Sequence, residues 1–182
     1  MTSVKAMLTY HDYVALPDDG RRYEILDGEL NVTAAPNRAH QWVILRLAVA
    51  LHAYVTSQRL GEIYTAPFDV ILAETTIVQP DIIFVANERL TIFSDRGVDG
   101  APTLAIEVLS PSTAHVDRGK KLQLYARYGI PYYWVVDAGR RSIDVYRLTQ
   151  GAYGTPDAFS DELTSLPPFD ELRLDPVSIW FP

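Results

Sequence analysis

The sequence predicts a mixed α/β fold in which a β-sheet is flanked by helices, with an N-terminal hairpin and a C-terminal extension. Three patterns lead to this prediction: a long apolar helical segment, a close series of short β-prone segments, and a second amphipathic segment followed by another β-prone run. This order is typical of a sheet covered by helices. We expect one domain over residues 1–182, with its core at about 22–148 and a wrapping extension at 149–182.

The composition is that of an ordinary globular domain. The 182 residues are 48% hydrophobic and 21% charged, which is enough apolar material for a substantial core. No cysteine is present, so disulfides, thiolate nucleophiles and cysteine metal sites are excluded. The N-terminus lacks the apolar region of a secretory signal, and no segment is apolar for long enough to span a bilayer. We therefore expect a cytoplasmic protein without a membrane partner.

Local signals define the first elements. "LTYHDYVALP" predicts a short helix that Thr9 caps and Pro17 ends. "RYEILDGELNVT" predicts a hairpin, because Asp27 and Gly28 both tolerate the positive φ of a tight turn. The longest helix is predicted for the segment that ends at Gly61. Its expected sheet-facing residues share a helical spacing and are Trp42, Leu45, Val49 and either His52 or Ala53.

Strands and one more helix are predicted after this point. "EIYT", "FDVIL", "DIIFV" and "TLAIEVL" have the composition of short strands. "HVDRGKKLQLYARYG" predicts a helix that ends at Gly129, just before Pro131. The aromatic run "YYWVVD" is most simply a core strand, and "IDVYRL" predicts the strand that follows it.

Two carboxylates lie on segments that are otherwise apolar. Glu107 shares a strand face with Ala105 and Leu109, and this face is expected to be covered. A buried carboxylate needs a cation, a metal ion or hydrogen-bond donors, because an isolated one costs several kcal/mol. Asp81 follows Pro80 at the start of another strand, so it lies beside Glu107 if the two strands pair.

The second helix supplies a cation for these acids. Periodicity separates an inward face from a polar face: the inward residues are Asp117, Lys121, Tyr125 and Tyr128, and the polar ones are Lys120, Gln123 and Arg127. Lys121 is therefore predicted to point inward. Paired carboxylates bind Mg²⁺, a neighbouring lysine stabilises charge on a phosphate, and phosphodiester hydrolysis needs little more.

"QPDIIFV", "IEVLSPST" and "DRGKKLQLYARYGIPYYWVVD" together resemble the Uma-type restriction endonuclease family of the PD-(D/E)XK nuclease superfamily. The upstream "RYEILDGEL", "HQWVILRLA" and "TAPFDVIL" extend the resemblance from about Tyr10 to Leu148. It implies a restriction-endonuclease-like fold that cleaves DNA with Mg²⁺, for which Mn²⁺ can substitute. By position, Asp81 and Glu107 would be the metal-binding acids.

The sequence departs from the superfamily pattern at one position. The pattern has a lysine two residues after the second acid, where this chain has Leu109. The Uma-type resemblance implies that the following helix supplies the lysine instead, and Lys121 matches. A fold of this kind without activity, which binds nucleic acid or a protein partner, stays open as the alternative. A phosphoesterase acting on nucleotides or small phosphates is a third hypothesis.

Each candidate residue also has a purely structural interpretation. Asp81 could bind backbone donors, and Glu107 and Lys121 could form an ion pair without metal. Glu24 is either a further ligand or an outward strand residue. His40 either contacts phosphate near a helix N-terminus or merely begins the helix.

Other polar residues suggest supporting roles. Asp69 either supports the site or is exposed, and packing is favoured over hydrogen bonding for Tyr125. Ser110, Ser112 and His115 lack the surroundings of a serine nucleophile, and capping of the following helix explains them better.

The net charge of −7 and the pI near 5.0 count against unspecific binding to DNA. A local basic patch could overcome this charge, or a homodimer could build one shared cleft. The residues considered for such a patch are Arg118, Lys120, Arg127, Arg140 and Arg141. Alternatively, these residues are solvated surface charges without a binding role.

Overall fold

The computed structural model describes residues 6–33, 35–160 and 164–182. Within them the helical segments are α1 (Tyr10–Tyr13), α2 (Arg38–Gln58), a 3₁₀ turn (Asn87–Ile92), α3 (Ala114–Val116), a π turn (Asp117–Lys121), α4 (Leu122–Arg127) and α5 (Pro176–Ile179). None of the helices in these ranges combines the length and the apolar character that crossing a lipid bilayer requires.

One sheet has six strands, in the order β2-β1-β5-β4-β8-β7. Its strands are β1 (Arg22–Leu26), β2 (Glu29–Thr33), β4 (Val70–Ala73), β5 (Thr76–Val78), β7 (Phe93–Ser94) and β8 (Gly97–Asp99). The predicted hairpin is confirmed, since β1 and β2 pair around Asp27 and Gly28, which have φ values of 55° and 76°. A side chain on Gly28 would also collide with Met7, because its Cβ would lie 2.8 Å from the Met7 Cβ.

The second sheet has the order β12-β11-β10-β9-β6-β3, and β13 also pairs with β11. Its strands are β3 (Gly61–Thr65), β6 (Ile82–Ala86), β9 (Leu104–Val108), β10 (Tyr132–Asp137), β11 (Ser142–Thr149), β12 (Ala152–Tyr153) and β13 (Asp157–Phe159). The pair β9–β10 is parallel, whereas β6 and β9 are antiparallel. Helices accompany mixed sheets, so the predicted mixed α/β class is confirmed, with two large sheets where one was expected.

The long helix α2 exists as predicted, but the predicted sheet-facing stripe was wrong. Leu45 and Val49 are 61% and 60% exposed, and the buried residues lie two positions from each of them, on a different stripe: His40, Val43, Leu47, Leu51 and Val55. The segment from residue 42 to 51 is apolar except for Arg46, so its spacing fits more than one stripe. Contact with the second sheet selects the stripe that is buried.

The chain after β13 packs against the same core as α2. Strands β14 (Thr164–Leu166) and β15 (Phe169–Leu174) form a two-stranded sheet. Phe169 and Trp180 are buried in the cluster that contains the apolar face of α2. The indole Nε1 of Trp134 donates to the carbonyl oxygen of Pro167, 2.8 Å away. The extension therefore covers the core, while the single-domain boundaries stay a prediction.

Candidate active site

Strand pairing brings the two predicted acids together. Ile82 of β6 lies opposite Ile106 of the antiparallel strand β9. The next pair in this register is Asp81 and Glu107, because the partners of an antiparallel ladder move in opposite directions along the chain. Each of the two residues is 1% exposed. Their juxtaposition follows from the register alone.

Lys121 descends onto these acids from the helix that follows β9. Its Nζ lies 2.9 Å from Oε1 of Glu107, 2.9 Å from Oε1 of Glu24 and 3.7 Å from Oδ1 of Asp117. The side chain is 2% exposed, whereas that of Lys120 is 37% exposed and pairs with Glu29. The inward direction predicted for Lys121 is confirmed, and its catalytic role stays a prediction.

Asp81 is held by three donors. Its Oδ2 accepts from the backbone N–H of Val108 at 2.8 Å and lies 3.3 Å from Nε2 of His40. Its Oδ1 accepts from Nη1 of Arg22 at 2.8 Å. His40 itself begins α2, where its backbone N–H donates to the side chain of the capping residue Asn37. His40 therefore contacts an acid of the site, and the predicted phosphate contact is not tested.

Glu107 has one anchored oxygen and one loosely held oxygen. Oε1 accepts from Nζ of Lys121 at 2.9 Å and from the hydroxyl of Tyr125 at 2.8 Å. Oε2 lies 4.0 Å from Nη2 of Arg22. The preference for packing alone at Tyr125 was wrong, because this fully buried ring both packs and donates a hydrogen bond. A hydroxyl buried beside a carboxylate has a strong reason to donate to it.

Glu24 belongs to the same buried cluster. It is 0% exposed, so the interpretation as an outward strand residue was wrong. Its Oε1 accepts from the backbone N–H of Gln79 at 2.9 Å, in addition to Lys121. Its Oε2 accepts from the Nδ2 of Asn31 at 3.0 Å. Because Arg22 and Glu24 are two positions apart on β1, they reach the cluster from one face of that strand.

A second network supports Gln79. The Nε2 of Gln79 donates to Oδ1 of Asp69 at 2.8 Å and to the hydroxyl oxygen of Tyr13 at 3.1 Å. The Tyr13 hydroxyl in turn donates to Oδ1 of Asp69 at 2.7 Å. Of the two interpretations predicted for Asp69, support of the site and plain exposure, the contacts with Gln79 and Tyr13 agree with support of the site. The chain Asp69–Gln79–Glu24 ties α1 and the first sheet to the acid cluster.

The electrostatics of the cluster differ from acid to acid. Burial raises the pKa of Glu107 to about 8, and the charges of Asp117, Asp81 and Glu24 add to this effect against the opposing charge of Lys121. Burial also raises the pKa of Asp81, but the hydrogen bond from His40 and the charge of Arg22 outweigh it and lower the pKa to about 2. The pKa of Glu24 is lowered like that of Asp81, because the charges of Lys121 and Arg22 outweigh the effect of burial.

The cluster forms the floor of a cleft of about 750 Å³. The N-terminus of α2, the segment before α3 and the start of β1 contribute its walls. Polar residues dominate near the floor, and Ile44, Leu45 and Ala48 of α2 add an apolar side. Arg21 and Arg22 are cationic residues on this lining that are partly open to solvent. The acids Glu24, Asp81 and Glu107 thus lie on the lining of this cleft.

Charge and ligand chemistry fit a divalent cation at this floor. Four carboxylates face two permanently cationic side chains there: Glu24, Asp81, Glu107 and Asp117 against Arg22 and Lys121. The excess of negative charge and the oxygen donors are what Mg²⁺ or Mn²⁺ prefers. No three histidine or acidic side chains within the described ranges are arranged to hold a metal ion by themselves. A bound ion would therefore rely on two acids and on water.

The five residues proposed for a basic patch lie outside the cleft, and all of them except Arg141 pair with acids that the structure describes. Arg118 lies 2.7 Å from Asp144, Arg127 lies 2.9 Å from Asp27, and Arg140 lies 3.9 Å from Asp137. Together with the pair Lys120–Glu29, these contacts neutralise much of the local charge. The interpretation as solvated surface charge fits these residues better than a DNA-binding patch.

The predicted capping of α3 by its preceding serines is not seen, because the N-cap residue is Thr113 and it makes no side-chain capping hydrogen bond. The Oγ of Ser110 accepts from the backbone N–H of Thr113 at 3.3 Å and lies 3.0 Å from the Oγ of Ser112. His115 is exposed on the helix that follows. No nucleophilic arrangement is formed by these three residues.

Arg22 and Asp117 are members of the site that the sequence interpretation did not identify as such. Arg22 could have been found, because strand alternation places it on the face of Glu24. Asp117 was placed on the inner face of its helix, but nothing in the pattern showed that it joins the acids. Gln79 carried no signal, since its link to Glu24 runs through its backbone N–H.

Comparisons with known proteins agree with this fold. The Uma2 family, described as "Putative restriction endonuclease", matches residues 10–177. The crystal structure of "a putative nuclease belonging to DUF820" from Anabaena variabilis has a TM-score of 0.78 at 20% identity, over 95% of this chain and 97% of that chain. No curated protein matches this chain. The predicted nuclease-like architecture is confirmed, and the chain belongs to the Uma2 family of restriction-endonuclease-like proteins.

Proposed function

We propose that this protein is a divalent-metal-dependent endonuclease that hydrolyses phosphodiester bonds of DNA. One observation carries the proposal: Asp81 and Glu107 each have one oxygen fixed by the protein and a second oxygen that faces a shared position at the floor of a cleft. These two oxygens face Arg22, and they suit a hydrated metal ion when that side chain is displaced. Membership of the Uma2 family supports the same class of reaction.

Asp81 and Glu107 would hold Mg²⁺, with Mn²⁺ as a substitute. The bound ion would polarise the phosphoryl oxygen and make a water molecule easier to deprotonate. The protein keeps both acids in place through the backbone N–H of Val108, the hydroxyl of Tyr125 and the Nζ of Lys121. These donors fix the ligands before substrate enters, which is the preorganisation that catalysis requires.

We assign Lys121 the assisting role. Its Nζ lies 2.9 Å from both Glu24 and Glu107, so the lysine orients these acids and reduces their mutual repulsion. It also places a positive charge beneath the position where a phosphate would gain negative charge. Leu109 packs instead among the apolar residues of the core, so the lysine that reaches Glu107 is the helix-borne Lys121.

The test is DNA cleavage with matched variants. Purified protein is incubated with linear and supercoiled duplex DNA and with single-stranded DNA, in Mg²⁺, in Mn²⁺ and in a chelator. Asp81→Asn and Glu107→Gln are expected to reduce cleavage at least ~100-fold, because each removes a ligand charge. Asp170→Asn and Glu88→Gln change exposed acids in the same way and should cleave like the wild type. Metal-independent cleavage, or full activity of both site variants, would refute the proposal.

A second candidate function is a catalytically silent module that binds nucleic acid or a protein partner. The observation that favours it is Arg22, whose guanidinium lies between the two acids and supplies a cation without any metal. Mn²⁺ binding separates the two candidates. The endonuclease should bind Mn²⁺, and Glu107→Gln should weaken this binding. A silent module should not bind Mn²⁺ at this site. Sedimentation of the wild type with and without DNA also tests the predicted homodimer.

A further inference from the structure

Arg22 lies between the two acids that would bind the metal. Its Nη1 donates to Oδ1 of Asp81 at 2.8 Å, and its Nη2 lies 4.0 Å from Oε2 of Glu107. It is the first residue of β1, and its side chain is 22% exposed on the wall of the cleft. The guanidinium therefore takes the position of an internal cation.

Arg22 contacts Oδ1 of Asp81 and Oε2 of Glu107, while other residues hold the second oxygen of each acid. Oδ2 of Asp81 is kept by the backbone N–H of Val108 and by His40. Oε1 of Glu107 is kept by Lys121 and Tyr125. If Arg22 moves away, both carboxylates keep an anchored oxygen, and Oδ1 and Oε2 become available together.

A guanidinium and a divalent ion cannot share this position. Two like charges about 4 Å apart repel strongly in a buried site, because the effective dielectric constant is low. Occupation of the acids by Arg22 thus excludes the metal. The apparent metal affinity is then the intrinsic affinity multiplied by the fraction of molecules in which Arg22 has withdrawn.

The withdrawn guanidinium would have donors ready for a phosphate. Among the described residues, no acceptor lies within hydrogen-bond distance of its buried Nε. Nε and one Nη together form the planar fork that binds two oxygens of a phosphate. Since Arg22 lines the cleft, a phosphate next to the acids lies within reach of a rotated side chain.

We propose that Arg22 exchanges between two partners: it neutralises Asp81 and Glu107 in the resting protein, and it binds a substrate phosphodiester once a divalent ion has taken its place. This inference rests on the proposed endonuclease function and adds to it a positioning residue that couples metal binding to DNA binding. Arg22 acts through the acids and the phosphate and takes no proton in the reaction.

The first experiment measures Mn²⁺ affinity by calorimetry on the full chain without DNA. Arg22→Gln is expected to bind Mn²⁺ about 10- to 100-fold more tightly than the wild type, which corresponds to Arg22 occupying the acids in about 90 to 99% of molecules. Arg21→Gln removes the same charge from the neighbouring residue, which pairs with Asp19, and should change the affinity little. Equal or weaker binding by Arg22→Gln would overturn the exchange.

A second variant tests whether a change in Mn²⁺ affinity comes from the lost charge or from altered folding. Arg22→Lys keeps the positive charge and should bind Mn²⁺ within a few-fold of the wild type, and circular dichroism checks that both variants are folded. If the lysine variant gains as much affinity as the glutamine variant, charge competition is refuted. If Mn²⁺ binds to neither the wild type nor Arg22→Gln, the proposed function fails as well. If the wild type and Arg22→Gln bind Mn²⁺ with equal, measurable affinities, the exchange is refuted and the proposed function is not.

The phosphate half of the exchange is tested by fluorescence anisotropy with a labelled duplex oligonucleotide. Ca²⁺, which also takes oxygen ligands, replaces the catalytic ion so that binding is measured separately from cleavage. Ca²⁺ should strengthen DNA binding of the wild type about tenfold, which is the value of a charged bidentate contact. Arg22→Gln and Arg22→Lys should lose this gain. An undiminished gain in Arg22→Gln, or no gain in the wild type, would overturn this half.

Discussion

At the scale of single residues, Glu107 is the least compensated acid of the site. Burial and three neighbouring carboxylates raise its pKa to about 8, although Lys121 opposes them. Asp81, 1% exposed like Glu107, has a pKa lowered to about 2, because His40 and Arg22 bind it directly. Two adjacent acids with opposite shifts are typical of a site built for a function rather than for stability alone.

This difference predicts how stability depends on pH. Between the unfolded pKa of about 4.3 and the folded pKa of about 8, the folded protein holds a proton on Glu107 that the unfolded chain has released. The free energy of unfolding in the absence of metal should therefore decrease as the pH rises through this window, by up to about 1.4 kcal/mol per pH unit. Urea denaturation at pH 5, 6, 7 and 8 in a chelator measures the slope.

Glu107→Gln is the control for this prediction, because its amide does not titrate. The variant should lose most of the slope, with a smaller remainder from Asp117, whose pKa burial also raises. Mn²⁺ should stabilise the wild type more at pH 8 than at pH 5, since a metal ligand must be deprotonated. Parallel stability curves for the wild type and Glu107→Gln would show that Glu107 does not carry the effect.

At the scale of elements, one helix decides which of two adjacent lysines enters the site. The π turn Asp117–Lys121 directs Asp117 and Lys121 inward and leaves Lys120 at the surface. A π turn of this kind is frequent at functional sites, because its extra residue rotates the side chains that follow. Tyr125, one further turn along in α4, completes the inner face.

Replacement of the two lysines should give very different results. Lys121→Met leaves Glu24, Glu107 and Asp117 without their buried cation, so it should destabilise the protein by about 3–5 kcal/mol without metal. Lys120→Met removes one exposed ion pair with Glu29 and should change stability by no more than about 0.5 kcal/mol. Urea denaturation of both variants in a chelator makes the comparison.

Mn²⁺ extends the comparison, because a divalent ion replaces part of the charge that Lys121→Met removes. The ion should therefore restore more stability to this variant than to Lys120→Met. Similar stabilities of the two metal-free variants would contradict the buried position of Lys121. DNA cleavage by Lys120→Met should stay at the wild-type level, since its side chain lies away from the cleft.

At the scale of the whole molecule, the charge distribution limits how DNA can bind. The net charge is −7, and most of the surface cations considered for a basic patch pair with acids outside the cleft. Arg21 and Arg22 are the cleft cations with a substantial exposed fraction in the described part of the chain. Few phosphates can therefore be neutralised by one copy of the chain.

Salt dependence tests this limit. The slope of log K for duplex binding in Ca²⁺ against log salt concentration should be no steeper than about −2, because Arg21 and the released Arg22 neutralise about two phosphates. Arg21→Ala should make the slope shallower by about 1. Arg127→Ala removes a cation that is paired with Asp27 outside the cleft and should leave the slope unchanged. A slope steeper than about −5 would show that a wider basic surface, or a second copy of the chain, binds the DNA.

Features that depend on local spacing could be predicted from the amino-acid pattern. Alternation in β9 placed Glu107 on a covered face, helical periodicity turned Lys121 inward, and Asp27-Gly28 specified the hairpin. Each of these follows from backbone geometry over a few residues, which neighbouring side chains encode directly. Where local spacing fitted two faces, as in the apolar helix α2, the sequence chose the wrong one.

The sharing of charges among the buried groups depends on contacts that form when the chain folds. Arg22 and Glu24 of β1 are far along the chain from Asp81, which precedes β6, and β1 and β6 belong to different sheets. No local pattern encodes which oxygen of a carboxylate meets which donor, because this depends on the packing of two sheets and a helix against one another. The position of Arg22 between the acids is therefore a property of the folded molecule.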